Sequence, residues 1–327
     1  MTLDSIDQND PTQSHQHCAV VDDLSAGHRL DQVAAKLFAE FSRSRLQQWI
    51  KTGELLVDGA PKSVDHRLKG GEELVICAAQ TREGEWVAQP IMLDIIHQDA
   101  DIIVLNKPIG LVVHPAPGNW DGTLLNGLLY QFPQLREVPR AGIVHRLDKD
   151  TSGLMVVAKT LQAHAALVAQ LQARTVKREY EALVYGRVTT SGVVDRPIGR
   201  HPKARTKMAV IESGKQAVTH YAVIQRYGHC SHLRVQLETG RTHQIRVHMA
   251  HIRHPLVGDA VYGGRAVSRP ASGAASDDIV QGFPRQALHA AALGLDHPQT
   301  GKAQRWCAPL PADFGELLRA LDAADNR

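Results

Sequence analysis

The chain has 327 residues, 43% of them hydrophobic, which is enough apolar material for two domains that each bury a core. It contains no run of about 18 apolar residues, and its first residues lack the basic and apolar regions of a secretory signal, so we expect neither a membrane span nor export. The four cysteines are far apart and form no CxxC pair, which argues against a zinc site and a disulfide framework. These features predict a cytoplasmic protein.

The net charge of +3 is unevenly distributed along the chain. Residues 1–24 contain five aspartates and no lysine or arginine, and this polar stretch without apolar periodicity is typical of a disordered tail. Between Arg174 and Lys215, ten basic residues stand against four acidic ones. Charge alone leaves two interpretations open, a solvated face and a surface for a polyanionic partner such as RNA.

Residues 25–79 have the pattern of a small mixed domain. Apolar residues at helical spacing from Leu30 to Phe38 predict a first helix, and Ser42 is a suitable N-cap for a second one. The pair Asp58-Gly59 after a short apolar run predicts a hairpin turn.

Arg43 and Arg45 fall in the first turn of the second predicted helix. The helix dipole disfavours cations at this end, whereas a phosphate bound there would compensate them. The pattern therefore favours a binding role for these two arginines over a purely structural one.

A polar, aperiodic stretch at residues 80–90 predicts a linker to a second domain, residues 91–327. In that domain short β-rich runs alternate with two helical segments, near Leu124–Tyr130 and Ala163–Arg174. Because strands and helices mix without regular βαβ alternation, the pattern predicts an α+β fold and not a doubly wound sheet. A stretch rich in Ser, Ala and Gly at Ala266–Asp278 predicts a surface loop.

Three segments of the second domain are dense in polar residues. They are Gly142–Gly153, Lys177–Glu181 and Glu238–Met249. Such segments are found both as charged connections and as sites built on a rigid sheet, and composition alone leaves both interpretations open.

Several common chemistries are disfavoured by the motifs. The chain has no Walker A loop, no GxGxxG after a strand and no GxSxG elbow, and His243 and His248 are five residues apart where a zinc helix needs four. We therefore expect no cofactor and no metal. A hydrolase built on Asp148 and His145 would need a water-activating metal or a nucleophile elbow, and neither motif is visible.

The three polar segments resemble the signatures of the RluA-type pseudouridine synthases. His145-Arg146-Leu147-Asp148 followed by Thr151-Ser152-Gly153 is similar to the catalytic loop of that family, and Gly240–His248 is similar to its second signature. His254–Asp259 and Arg285–Ala290 resemble further family segments. Residues 25–79 resemble the small RNA-binding domain first seen in small-subunit ribosomal protein four.

The resemblance implies a fold and a set of roles. The fold is a central, mostly antiparallel mixed β-sheet preceded by a small α/β RNA-binding domain. Asp148 becomes the essential carboxylate, Tyr180 the residue that stacks on the uracil and helps to remove its carbon-five proton, and Arg246 the partner of Asp148. The remaining implied RNA contacts are Arg146, which can fill the gap left by a flipped base, and Arg43, Arg45, Arg241 and His243.

Segments such as Asn106-Lys107-Pro108 and Pro139–Val144 most resemble the branch that modifies large-subunit ribosomal RNA, called D. This likeness implies 23S ribosomal RNA or a pre-50S particle as partner and a monomeric enzyme. Transfer RNA or another ribosomal site is the alternative substrate. A catalytically silent RNA-binding assembly factor is the rival of another class, but it should have lost Asp148, Tyr180 or Arg246, and all three are present.

Overall fold

The structure is a computed structural model that describes residues 17–38, 41, 43–77, 86–116, 119–264 and 279–325, with the side chains of residues 43–45 left out. The chain divides into two compact units, residues 1–85 and 86–327. Within the described ranges, no helix combines the length and the apolarity that crossing a membrane requires.

The smaller unit is a four-stranded antiparallel sheet with two helices. Its elements are β1 (His17–Val20), α1 (Leu30–Leu37), α2 (Arg43–Thr52), β2 (Leu55–Val57), β3 (Ala60–Pro61) and β4 (Glu73–Ile76), in the sheet order β1-β4-β2-β3. The apolar faces of both helices pack on the sheet, with Leu30, Leu46 and Ile50 almost fully buried. Asp58 and Gly59 both have positive φ, as the predicted hairpin turn requires.

The boundary predicted at residue 25 is wrong for residues 17–24. His17–Val20 form the edge strand β1 beside β4, and Val21 is only 1% exposed. An edge strand with one solvated face contributes few apolar residues to the sequence, so four residues of alternation were too short to stand out from the acidic stretch. Residues 1–16 lie outside the described part of the chain.

The linker predicted at residues 80–90 is also too long at its C-terminal end. Trp86 packs against the core of the larger unit, and the Asn126 side chain donates a hydrogen bond of 2.8 Å to the carbonyl of Val87. The backbone N–H of Gln89 in turn donates to the carbonyl of Asn126. Residues 78–85, like the predicted loop at 266–278, lie outside the described residues.

The larger unit is built on a nine-stranded sheet. Eight strands follow the order β5-β6-β7-β14-β8-β13-β12-β9, and β15 pairs with β14, while β10 and β11 form a separate hairpin. The strands are β5 (Asp94–Gln98), β6 (Ile102–Lys107), β7 (Ser152–Ala158), β8 (Lys177–Tyr185), β9 (Gly192–Asp195), β10 (Ile198–Arg200), β11 (Met208–Val210), β12 (Val218–Tyr227), β13 (Cys230–Leu237), β14 (Leu288–Asp296) and β15 (Ala303–Cys307). All pairs are antiparallel except β7 with β14. The predicted α+β class with a mostly antiparallel mixed sheet is confirmed.

This unit also contains the α-helices α3 (Leu124–Gln131), α4 (Leu161–Gln172), α5 (Gln244–His251) and α6 (Ala312–Asp325). The sheet is buried on both faces: Ile103 and Leu105 of β6 join one core with α3 and α5, whereas Ile102 and Val104 join another with α4. Burial on both faces explains why β6 and β7 are almost continuously apolar in sequence. The helices predicted near 124–130 and 163–174 are confirmed.

Candidate active site

The loop that carries Asp148 enters the middle of the sheet between two glycines that the backbone requires. Gly142 has φ +77°, and a Cβ atom there would overlap the carbonyl of Ala158. Gly153, with φ +113°, sits where β7 and β14 pair, and its Cβ atom would overlap the backbone of Ala290. Only glycine allows these close approaches, so the polar segment has fixed ends.

Asp148 is held by an arginine from α5. The Nη1 atom of Arg246 donates a hydrogen bond of 3.0 Å to Oδ2 of Asp148. The same guanidinium donates two further bonds, of 2.7 and 2.9 Å from Nε and Nη2, to the two carboxylate oxygens of Asp259. Arg246 therefore bridges two carboxylates that are distant in the sequence, and its orientation toward Asp148 is set by Asp259.

The charges in this group stabilise one another. Burial opposes the charge of Arg246, but the hydrogen bonds and charges of Asp259 and Asp148 outweigh it and raise the pKa of the guanidinium. Burial likewise opposes ionisation of Asp259, and Arg246 with the backbone N–H groups of Tyr262 and Val261 lowers its pKa. The side chain of Asp259 is 0% exposed and that of Asp148 is 16% exposed. Asp148 is therefore the member of the group that remains accessible to a ligand.

Lys107, at the end of β6, binds the backbone of the loop that carries Asp148. Its side chain is 0% exposed and donates hydrogen bonds of 2.7, 2.9 and 2.9 Å to the carbonyls of Pro108, Leu111 and Lys149. The third of these carbonyls directly follows Asp148. A buried ammonium that uses all three donors on backbone oxygens is a positioning device for the loop.

Arg285 and Gln286 anchor the next two residues of the loop. Arg285 donates to the carbonyl of Asp150 at 3.1 Å and forms a bidentate pair with Asp313 of α6. The Gln286 amide donates to the Thr151 hydroxyl at 3.2 Å. The chain segment that follows Asp148 is thus attached residue by residue to the core.

Lys107 is expected to make stability depend on pH in the alkaline range. Burial lowers its pKa from 10.5 to about 8, although Asp150 and Asp148 act in the opposite direction. Because the unfolded chain binds the proton more tightly, the free energy of unfolding should rise as the pH increases from about 8 to 10.5. Lys107→Met should lack this rise in urea unfolding curves recorded at several pH values. Parallel pH profiles for the wild type and the variant would contradict the assignment.

Asp148, Tyr180 and Arg246 line one cavity of about 860 Å³. Its charged lining comprises six arginines, Arg140, Arg146, Arg174, Arg178, Arg241 and Arg246, and two carboxylates, Asp148 and Glu238. Tyr180 is 6% exposed, and burial raises its pKa, so the phenol is protonated at neutral pH. The cavity is suited to an anionic ligand that brings an aromatic group to Tyr180.

His243 lies beside Asp148 at the start of α5. Its φ of +56° places it in the left-handed region immediately before the helix. Its Nδ1 atom is 2.8 Å from the Tyr262 hydroxyl, and its Nε2 atom is 3.9 Å from Oδ1 of Asp148. Burial lowers the pKa of His243, which favours the neutral ring next to the carboxylate.

Curated proteins of known family match the chain over almost its whole length. The ribosomal large subunit pseudouridine synthase D of Pseudomonas aeruginosa is 58% identical over 309 residues, which cover 94% of this chain and 96% of that protein. The chain belongs to the RNA pseudouridylate synthase family. The protein of the same name from Escherichia coli K12 is 52% identical and covers 95% of this chain and 96% of its own. The resemblance seen in the sequence is confirmed, and the chain is an RNA pseudouridine synthase.

The family match locates both units. The RNA pseudouridylate synthase family matches residues 101–251, and the S4 domain matches residues 28–74. Among solved structures, human RNA pseudouridylate synthase domain containing 4 has a TM-score of 0.56 at 25% identity and covers 70% of this chain and 93% of that one. The human domain containing 1 protein has a TM-score of 0.53 at 26% identity, covering 72% and 97%. The larger unit thus has the fold of these synthases.

The synthase cavity brings together most of the residues predicted from the sequence. Asp148, Tyr180 and Arg246 meet there, and Arg146, Arg241 and His243 also line it. Arg43 and Arg45 lie in the first turn of α2 as predicted, but their side chains lie outside the described part of the structure.

Three residues of the synthase site were not predicted as site residues. Asp259 and Lys107 fall in segments that resembled the family, yet only the buried contacts assign them a task. Arg178 stands two residues before Tyr180 on β8 and lines the cavity with it. The alternation of a strand, which points residues i and i+2 to one face, was the available signal for Arg178.

His145 does not behave as the base of a hydrolase. Its Nε2 atom accepts a hydrogen bond of 3.1 Å from the backbone N–H of Val156. Burial, with the charge of Arg178 in second place, lowers the pKa of His145 to about 3. A ring so weakly basic, with one nitrogen committed to β7, is a structural residue, and the alternative of an Asp148–His145 hydrolase loses its base.

Proposed function

We propose that this synthase isomerises uridines of 23S ribosomal RNA to pseudouridine, with Asp148 as the catalytic carboxylate. The observation that carries the assignment is the accessible Asp148 carboxylate, bound by Arg246, in an arginine-lined cavity that also contains Tyr180. The ribosomal substrate is supported by the relatives at 52–58% identity, which are named for the large ribosomal subunit.

The reaction balances without an outside reagent. The bond between the sugar and nitrogen one breaks, the uracil turns, a bond forms to carbon five, and the carbon-five proton is lost while nitrogen one gains one. Asp148 attacks the sugar or the base of the flipped nucleotide as an ionised carboxylate, a state that the adjacent guanidinium of Arg246 favours. Tyr180 offers its ring to the uracil and helps in removing the carbon-five proton.

RNA contacts follow from the same cavity. Extruding a base from a stack costs a few kcal/mol, which stacking and gap-filling groups offset. Arg146 is exposed two residues before Asp148 and is suited to fill the space that the base leaves. Arg241 and His243, which line the cavity on the α5 side, are assigned to the flanking backbone.

The substrate is tested by mapping pseudouridine in ribosomal RNA from cells that lack this gene, using carbodiimide-dependent stops of reverse transcription. We expect stops in 23S RNA to disappear and to return when the wild-type gene is restored. If the ribosomal stops stay and stops in transfer RNA disappear, the alternative substrate is correct. If no stop changes in any RNA, the result favours the rival interpretation, a catalytically silent RNA-binding assembly factor.

The oligomeric state and location follow as part of the proposal. A monomeric enzyme is part of the proposal, as the family resemblance of the sequence implies. Sedimentation at two protein concentrations would test this. Action on ribosomal RNA would place the enzyme in the cytoplasm.

The smaller unit is proposed to bind RNA without taking part in the chemistry. Changing Arg43 and Arg45 together to alanine should weaken RNA binding and reduce its dependence on salt by roughly one unit of log–log slope for each phosphate that is no longer bound. Filter binding at several salt concentrations measures both quantities. Lys51→Ala, which changes the last turn of the same helix, is the control. An unchanged slope in the double variant would remove these arginines from the interface.

A further inference from the structure

Arg178 is a buried cation in the cavity wall that has no acidic partner among the described residues. Its side chain is 7% exposed in a strand whose next inward residue is Tyr180. Its Nη2 atom donates a hydrogen bond of 3.1 Å to the carbonyl of Glu238, while its Nε atom is buried without a hydrogen-bond partner in the described structure. A buried guanidinium normally has a carboxylate and a full set of acceptors.

The side-chain carboxylate of Glu238, the residue that supplies this carbonyl, is already paired with other groups. Glu238 binds Nη1 of Arg174 at 3.4 Å and Nε2 of His220 at 2.6 Å. Burial lowers the pKa of Arg178, in contrast to Arg246, whose carboxylate partners raise it. The positive charge of Arg178 therefore has no compensating carboxylate among the residues that the structure describes.

Two further arginines of the cavity lining both contact Gln216. Arg174 donates to the side chain of Gln216 at 2.7 Å, and Arg241 donates to the backbone carbonyl of Gln216 at 3.0 Å. With Arg178 they form a group of three guanidiniums on the cavity wall, which we call the arginine cluster. Glu238 is the single carboxylate among the cavity-lining residues on this side of Asp148.

Gly240 provides the space that Arg178 needs. A Cβ atom at this position would lie 2.7 Å from Nη1 of Arg178, closer than real contacts allow. This glycine, which belongs to the second sequence signature, leaves room for the guanidinium, which a Cβ atom would displace from its observed place. The cavity wall thus holds a buried arginine that has no acidic partner among the described residues.

We propose that Arg178 binds a phosphate group of the RNA substrate beside the flipped nucleotide, with Arg174 and Arg241 completing the site. The proposal rests on the proposed function, since it deepens how this cavity receives RNA. A guanidinium presents parallel N–H donors that match two phosphate oxygens, and a phosphate would supply both the missing acceptor and the missing charge. The rival ligand is a carbonyl oxygen of the uracil.

The first experiment uses inorganic phosphate as the probe, so that it does not depend on the identity of the RNA. Phosphate at about ten times its Kd should raise the melting temperature of the wild type by about 3 °C relative to sodium chloride of equal ionic strength. Arg178→Met should lose most of this rise. It should also melt no lower than the wild type without phosphate, because an uncompensated buried charge is removed. An equal phosphate shift in both proteins, or a large loss of stability in the variant, would overturn the proposal.

The second experiment measures binding of a 23S ribosomal RNA transcript in an Asp148→Asn background, where no turnover occurs. Arg178→Met should raise Kd roughly 10- to 100-fold, as expected when one charge-assisted hydrogen bond is removed, and should reduce the log–log salt slope by about one. The Kd of Arg178→Lys should fall between those of the parent protein and Arg178→Met. Arg305→Met is the matched control, because Arg305 is exposed and pairs with Glu179 outside the arginine cluster.

The outcomes separate the two proposals. An unchanged salt slope together with a fall in turnover, measured with Asp148 intact, would replace the phosphate by a uracil oxygen and overturn the inference. A phosphate shift that depends on Arg178, found in an enzyme that does not bind the transcript, would keep the anion site and reject the 23S substrate.

Discussion

Asp148→Asn should abolish pseudouridine formation, by on the order of 10⁴-fold or more, as expected for loss of an enzyme nucleophile. The asparagine keeps the size of the side chain but cannot act as an ionised carboxylate toward the flipped nucleotide. Arg246 keeps its two bonds to Asp259, so the variant should fold normally. Release of tritium from carbon-five-labelled uridine in RNA would measure the rate, and filter binding would show that Kd for RNA changes only a few-fold.

Asp150→Asn is the matched control for this experiment. Asp150 is the second carboxylate of the loop, and its contact with Arg285 is made by the backbone carbonyl and not by the side chain. This variant should therefore keep most of the activity. Full activity in Asp148→Asn, or loss of activity in Asp150→Asn alone, would show that the catalytic carboxylate has been assigned to the wrong residue.

Asp259→Ala should produce the largest loss of stability of any single change in the site. The Asp259 side chain is 0% exposed and accepts two hydrogen bonds from Arg246, itself 7% exposed. Removing one member of a buried ion pair typically costs about 3–5 kcal/mol because the remaining charge is left without its partner. Turnover should fall as well, since Arg246 would no longer be oriented toward Asp148. Urea unfolding and the tritium-release rate measure the two effects.

Two further variants test whether the loss of stability in Asp259→Ala comes from the broken ion pair with Arg246. Asp259→Asn keeps the shape and one acceptor oxygen, so it should lose less stability than Asp259→Ala. Glu179→Ala breaks an ion pair with the exposed Arg305 and should change the free energy of unfolding by about 1 kcal/mol or less. If Asp259→Ala were no more harmful than Glu179→Ala, Asp259 would not be the residue that orients Arg246.

The same pair has a defined pH dependence. Because the folded pKa of Asp259 lies below its ordinary value of 3.8, its contribution to stability is complete above that pH. The contribution is lost only as the pH falls through the lowered pKa. The acid limb of the unfolding profile should therefore shift in Asp259→Asn, while the neutral range stays flat.

Local patterns in the sequence determined much of the fold. Apolar residues spaced three and four apart predicted α1 and α2, and Asp58-Gly59 predicted the turn between β2 and β3. These patterns are reliable because each depends on contacts within a few residues or on one buried face. β1 escaped prediction because its four residues bury only one face on the neighbouring β4.

The reaction was also readable before the structure, through the long ordered match of the loop at Asp148 and the segment at Arg246 to one family. Composition and spacing alone led only to a basic α+β protein with a polar loop. The assignment of Asp148 over Asp150 came from the resemblance. The structure adds that, of these two side chains, it is Asp148 that accepts a hydrogen bond from Arg246 within the described site.

What the sequence by itself determined is many of the elements and the family, and it predicted Asp148 as the reactive carboxylate. Only the tertiary structure decided which charges are compensated: Arg246 has two carboxylates, Lys107 has three carbonyls, and Arg178 has one carbonyl and an unused donor. The physical reason is that each of these cations makes a contact with a residue at least 42 positions away, brought close by the sheet order. Periodicity reports which face of an element is buried, but it carries no information about which distant group lies against that face.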